Sequence, residues 1–452
     1  MTADTIETAL AEFASNLRLE DVTPSAIAKA KTLIVDAMGC ALAGDSSEET
    51  PIVHRTAATV FGEGGATVIG TEERLSPAGA TLVNSYLITA MTVCDVYRPA
   101  HCHMTPLVVP PTMTASEEIG ASGRDFLVAA ITGMELTARV AVGLDYSAFR
   151  SRGWHSPGVI GPLGAAAAVG RVMDFDSGTM LHALGLAATQ SAGSYLSWGT
   201  PAVKFHQARG AVSGLLAARL AEQGFIGGDR PLTAVDGGVY NTHSNGGDPV
   251  SVIAELGKRW EMEQIAIRLW PGASPVQSML TAIFDLIEAE GLTAVNTDFV
   301  EVGISTEDFS THGRFTRPAG TFEALLSYAY LCSAALHDGQ LWFEQVRPPK
   351  VHDDRLLDYG AQRVRLVAVD DLPVNGCQLT ARLTDGREMR RRVETARGTP
   401  ENPASESEVE EKFRRAAGSR LGEERTSEVL GILWNLEDQD QLEPLWELLR
   451  TE

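Results

Sequence analysis

Five cysteines are all this chain carries, Cys40, Cys94, Cys102, Cys332 and Cys377, odd in number and with no C-x-x-C pair among them. That excludes a disulfide framework and a zinc ribbon and leads to the expectation of a reducing compartment. No apolar run approaches the roughly 20 residues that cross a bilayer. The start, Met1-Thr2-Ala3-Asp4, has neither a charged nor an apolar leader region. A cytoplasmic protein with no membrane partner is therefore expected. Positive charge is scarce, 37 Lys and Arg against 59 Asp and Glu, and the formal net charge of -22 repels nucleic acid and anionic lipid. An acidic substrate then needs an enclosed site where local cations reverse the potential. With no internal repeat, heptad run or low-complexity linker, an elongated scaffold is excluded as well.

What is present is length, small residues and clustered histidine. A chain of 452 residues exceeds one hydrophobic core, and at roughly 150 residues per domain it divides into two or three units. The 43 glycines and many alanines favour closely approaching helices. From Thr23 to Gly44, Ile27, Ala30, Ile34, Ala37, Met38 and Ala41 share one helical face, with Pro24 suited to the first turn and Gly44 to the end. Ser122-Gly123-Arg124-Asp125 has capping-box spacing ahead of a second helix. Between Gly161 and Gly170 the small residues read as a buried helix, not a nucleotide loop. Asp176 caps a further helix, and Thr200-Pro201 opens one that runs past Leu215 to Gln223-Gly224. No long period-2 pattern precedes about residue 260. Sheet is expected afterwards, at Val300, Val302 and Ile304, from Val364 to Val369, and in Cys377 to Leu383 joined through Asp385-Gly386 to Glu388 to Val393. A helix around Phe322 to Leu336 interrupts it. The breaker cluster Gly398 to Pro403 returns the chain to helices over Ser407 to Ala417 and Glu424 to Leu436.

The expected architecture is mainly α, with an all-helical domain from residues 1–265 and 398–452 and a smaller α+β domain over 266–397. Chemistry is expected at Cys94 to Pro106, which concentrates Asp95, Arg98, His101 and His103, and at Arg152-Gly153-Trp154-His155 and Lys204-Phe205-His206. Five of the ten histidines fall between positions 101 and 206.

These segments resemble the MmgE/PrpD family. The likeness rests on Asp36-Ala37-Met38-Gly39-Cys40-Ala41-Leu42-Ala43-Gly44, Ser122 to Leu127, Arg152 to His155, Gly161 to Ala168, Lys204-x-His206, Ser327 to Tyr330, Ala335 to Gly339, Gly398 to Pro403 and Lys412-Phe413. Each is weak alone; the ordered set is specific. The resemblance implies a helical domain built from both chain ends, an inserted α+β lid, a homodimer, and no metal or organic cofactor. Two departures stand out. Where many members have several aspartates, Thr92-Val93-Cys94-Asp95-Val96-Tyr97 keeps one, and Arg268 takes the place of a family lysine.

Removing a proton beside a carboxylate requires a base within hydrogen-bond reach and cations that stabilise the developing charge. The catalytic candidates are His103, His155 and Lys204, with Asp95 to orient a histidine or assist a leaving hydroxyl and Tyr330 as a proton or hydrogen-bond donor. Arg268, whose forked guanidinium suits bidentate carboxylate binding, is assigned with Arg98 and His101 to substrate binding. His182 and His206 read as satisfied core histidines. His101-x-His103 with the nearby cysteines is too poor a pattern for zinc, so no metal is expected. The function expected is a cofactor-independent lyase, a dehydratase or decarboxylase of a small di- or tricarboxylate. An epimerase working through two opposed acid/base groups and a non-catalytic binding protein are the alternatives.

Overall fold

The computed structural model describes residues 5–451. They form two compact units. The first holds the chain up to Ala90, Cys94–Ile265 and the segment from Ser405; the second holds Met91–Val93 and Ala266–Ala404. Chain near both termini thus builds the first unit.

In that unit α1 (Pro24–Ala43) starts where the Thr23 hydroxyl accepts from the Ala26 amide at 3.4 Å. Ala30, Ile34, Ala37, Met38 and Ala41 are buried along its inner face, while Ile27 at the margin is only half-buried. Next comes a short antiparallel pair that the alternation test misses, β1 (Glu63–Thr67) with β2 (Arg74–Leu75). Gly64 and Gly65 give β1 no polar-apolar alternation to read. Then follow α2 (Pro77–Ala90), α3 (Thr105–Ile119), α4 (Gly123–Val142), α5 (Ser156–Val172), α6 (Ser177–Ala188) and α7 (Ala202–Glu222). Ser122 accepts from the Asp125 amide at 3.1 Å and Asp176 from the Thr179 amide at 2.7 Å, each occupying one of the donors that a helix start leaves open.

Small residues set how closely α3, α5 and α7 approach. A Cβ on Gly161 of α5 would lie 2.3 Å from Leu107 of α3, and one on Gly214 of α7 would lie 2.3 Å from the Ala165 Cβ of α5. Neither position has room for a side chain. The return helix, Glu406–Trp434, opens on a capping box between Ser405 and Glu408 and breaks at Gly422, whose φ of 72° is left-handed. Near its start the ammonium of Lys412 donates to the Asp36 carboxylate on α1, both groups buried, and the Phe413 ring fills the space that a Cβ on Gly39 would need.

The second unit is a four-stranded sheet with helices. After α8 (Val276–Glu290) come β3 (Thr297–Ile304), α9 (Tyr328–Asp338), α10 (Asp354–Arg363), β4 (Val364–Ala368), β5 (Cys377–Leu383) and β6 (Glu388–Val393). The order is β4-β3-β5-β6. β3 and β4 run parallel across the helical crossover, and the other pairs are antiparallel. Val300, Val302 and Ile304 of β3 and Leu379, Ala381 and Leu383 of β5 are buried, the period-2 face read from the sequence. Gly386 turns the β5–β6 hairpin at φ 90°.

The single helix expected over 322–336 is two pieces, Thr321–Ala324 and α9, because the Ser327 hydroxyl caps a fresh start by accepting from the Tyr330 amide at 3.1 Å. The breaker cluster stays with this unit: the Ile267 amide donates to the Gly398 carbonyl at 3.0 Å, and the return begins at Ser405. No helix among the described residues is long and apolar enough to cross a membrane.

Candidate active site

Three helix starts in the first unit carry the titratable groups. His103 lies just ahead of α3, His155 is the residue that precedes α5, and Lys204 and His206 sit in the opening turns of α7. Helix N-termini present open N–H groups and a partial positive charge, favourable for an anion.

The loop from Cys94 to Met104 is held from inside by Asp95. Its carboxylate accepts from the Met104 amide at 2.7 Å and from the Thr105 amide at 3.2 Å, and the Thr105 hydroxyl donates to it too. Fully enclosed, this carboxyl is pushed up to about 6 by desolvation, against the pull of those donors. The aspartate thus caps α3 with its side chain and meets His103 through its backbone. The His103 Nδ1 lies 2.6 Å from the Asp95 carbonyl oxygen, which can only accept, so Nδ1 carries a proton and donates it. The Cys94 Sγ is 3.9 Å from the same nitrogen. His101 holds a left-handed φ of 44° and its Nδ1 meets the Tyr146 hydroxyl at 2.9 Å. For a residue with a Cβ, such a backbone costs on the order of 1 kcal/mol and is typical of functional loops. Arg98, in the same loop, is half-buried.

His155 is 8 % exposed, and its Nδ1 faces the Nδ1 of His206 at 2.8 Å. Burial first, then the neighbouring His206, His103, Arg150 and His101, hold its pKa well below the usual imidazole value. Burial and Arg209 lower His206 as well. Four of the five clustered histidines therefore share one electrostatic neighbourhood, with the guanidinium groups of Arg150 and Arg209 beside it. Tyr195 flanks it, with its ring 5.9 Å from that of His155 and the Arg150 guanidinium 3.1 Å above its own face. The Lys204 ammonium, 6 % exposed, donates to the carbonyl of Ala90, the last residue of α2 and the stem of the 94–106 loop.

The other candidates lie in the second unit. Arg268, 3 % exposed, donates from Nη1 to the Gly272 carbonyl at 3.2 Å. Tyr330 is fully buried in α9, its hydroxyl donates to the Gln345 carbonyl at 2.5 Å, and burial raises its pKa above the ordinary phenol value. His182 meets the Gly227 carbonyl at 3.3 Å, outside the cluster around His155. Among the described residues no three His, Cys, Asp or Glu side chains gather as a metal would require.

The sequence places His206 in the cluster but reads its ring as a satisfied core histidine, and it gives no sign of Arg150 or Tyr195. For His206 a signal existed, its spacing of two from Lys204. For Tyr195, which stands in a small-residue loop, there was none.

The chain matches the MmgE/PrpD N-terminal domain over residues 8–251 and the MmgE/PrpD C-terminal domain over residues 270–438. It belongs to the MmgE/PrpD family. Among MmgE/PrpD relatives, a cis-aconitate decarboxylase of Aspergillus terreus is 28% identical over 473 residues, covering 97% of this chain and 95% of that protein. The human cis-aconitate decarboxylase is 25% identical, covering 96% and 92%, and the mouse protein 24% identical, covering 96% and 91%. Family and relatives together support an enzyme of the carboxy-lyase type over an epimerase.

Proposed function

We propose that the chain is a decarboxylase of a small tricarboxylate, with cis-aconitate the first substrate to test. The observation that carries the reading is the gathering of His103, His155 and His206 at helix starts, with His101 beside them, in an acidic chain. Relatives named for this reaction match along nearly their whole length.

Decarboxylation breaks a carbon–carbon bond. Carbon dioxide leaves, the electron pair left behind spreads into the adjoining unsaturated carboxylate, and a proton closes the valence. Cationic groups lower the barrier by stabilising that spread charge. In this reading Lys204 and the helix N-termini hold substrate carboxylates, with Arg98, His101 and Arg268 as further contacts. His103, anchored through Nδ1 to the Asp95 carbonyl, accepts a hydrogen bond or a proton at Nε2, and His155 delivers the closing proton. Asp95 keeps the loop in shape. Tyr330, whose hydroxyl is engaged with Gln345, belongs to the core of its unit and not to the proton path. The lid role of residues 266–397 and the homodimer remain parts of the same proposal.

Incubating the purified protein with cis-aconitate and following carbon dioxide release tests it. An unsaturated dicarboxylate and one equivalent of carbon dioxide are expected. Exchange and inversion at a stereocentre in deuterated water, without carbon dioxide from any di- or tricarboxylate, would replace it with an epimerase.

A further inference from the structure

We propose that His206 is a positioning residue for His155: the two rings share one proton along the Nδ1–Nδ1 line, and His206 passes inward the proton that each decarboxylation consumes. This inference rests on the decarboxylase reading. Two imidazole nitrogens 2.8 Å apart cannot both be bare, since nothing would then hold them together, nor both protonated, since the hydrogens would collide. One proton lies between them.

The direction of that hydrogen bond follows from the chemistry required. His155 is faced by His206, His103, Arg150 and His101, and its ring is buried, so it stays neutral at neutral pH. A neutral imidazole that gives up its Nε2 proton becomes an anion unless Nδ1 is protonated in the same step. The partner at Nδ1 is His206. In the balanced step the Nε2–H of His155 goes to the carbon that has lost carbon dioxide, and the Nδ1–H of His206 moves to Nδ1 of His155. Nε2 of His206 then takes a proton from water. Both rings end neutral, and one solvent proton has been used, as the reaction requires. When the site refills with water the tautomers reset by the reverse exchange, with no net charge change. His206 suits the outer position because it is half-buried where His155 is nearly sealed. A Cβ on Gly193 would come within 3.1 Å of the His155 carbonyl and 3.4 Å of the His206 Nδ1, so glycine there leaves the pair its room.

Two variants, read by rate, proton inventory and nitrogen-15 spectra, test this. His206→Asn keeps an amide N–H near the place of Nδ1 and can hold the hydrogen bond but cannot relay; His206→Ala can do neither. Under single-turnover conditions with cis-aconitate, both are expected to lower the rate about 100-fold or more, the usual worth of a proton-transfer group, with KM changed less than threefold. The proton inventory in mixed light and heavy water should be bowed in the wild type and linear in His206→Asn. A His206→Asn rate within threefold of wild type, or a linear wild-type inventory, overturns the relay. Independently of any activity, nitrogen-15 spectra of labelled histidine should show His155 as the Nε2–H tautomer in the wild type and in His206→Asn, and as a mixture in His206→Ala. Wild-type His155 protonated on Nδ1 would contradict the pairing even if decarboxylation were confirmed, and inactivity on carboxylates with the expected spectra would fault only the decarboxylase reading.

Discussion

The two units differ in the ion pairs they bury. In the sheet unit, strand arginines sit in exposed ion pairs, such as Arg382 with Asp298 at 2.6 Å and Arg391 with Asp285 of α8 at 2.7 Å, while apolar residues of β3 and β5 turn inward. Pairs of this kind contribute little, between 0 and about 1 kcal/mol each. The helical unit has exposed pairs as well, such as Arg124 with Glu20, but it also buries titratable groups: Asp36 with Lys412, Glu135 with Arg139, Asp95 on the start of α3, and the histidine pair. Burying such groups costs stability unless every one is paired. What the contrast teaches is that a surface which spends charge on solvation needs no particular partners, whereas a core that keeps it does, and catalysis draws on the second kind.

The sharpest way to break the contrast is to remove groups from the helical unit's cluster. His155→Gln and Lys204→Met are expected to reduce kcat by about 100-fold to 10,000-fold while thermal unfolding shows the fold retained. Loss of less than tenfold in both would remove the cluster from the reaction. Lys412→Met takes the ammonium away from the buried Asp36 carboxylate and should cost about 3 to 5 kcal/mol, read by denaturant unfolding; replacing both partners with apolar residues should restore much of it. Removing the exposed Asp298 partner of Arg382 should change stability by less than about 1 kcal/mol.

Acidification sharpens the same comparison. His155 and His206 have folded pKa values below the unfolded imidazole value, so their contribution is present above about pH 6.5 and is lost as pH falls below it, where only the unfolded chain takes up the proton. The slope approaches about 1.4 kcal/mol per pH unit for a single such group. His155→Gln should flatten the fall in unfolding free energy between pH 6.5 and 5. An identical slope in the variant would mean that the ring is charged in the native state.

The smallest effects concern the second unit. Arg268→Lys should raise KM by about tenfold with kcat changed little, since a lysine loses the forked hydrogen bond; an unchanged KM would count against substrate binding by Arg268. Tyr330→Phe removes one hydrogen bond to a carbonyl and should cost about 1 kcal/mol of stability with kcat within threefold. A hundredfold fall in kcat would return Tyr330 to the proton path.

Much of the fold is legible in the sequence because local rules decide it. Thr23, Ser122, Asp176 and Ser405 each cap the helix that follows them, and Val300, Val302 and Ile304 alternate as a half-buried strand must. Illegible were the features set by contacts far apart in the chain. Gly64 and Gly65 carry no side chains to alternate, yet they form β1 because β2 pairs with it. The pattern over 322–336 is apolar enough for one helix, but Ser327 starts a new one. In the site, His103 and His155 were legible by residue type and clustering. The pairing of His155 with His206 was not, because it depends on the approach of two helices 51 positions apart, which small residues allow but do not specify.

In the proposed reaction, buried, neutral histidines at helix N-termini complete a decarboxylation. Its most direct test is the release of carbon dioxide from cis-aconitate by the wild-type protein and by His155→Gln, side by side, with unfolding curves for both. The wild type should release one equivalent of carbon dioxide per substrate consumed, and the variant should turn over at least about 100-fold more slowly with its fold intact. Equal rates from the two proteins would contradict it.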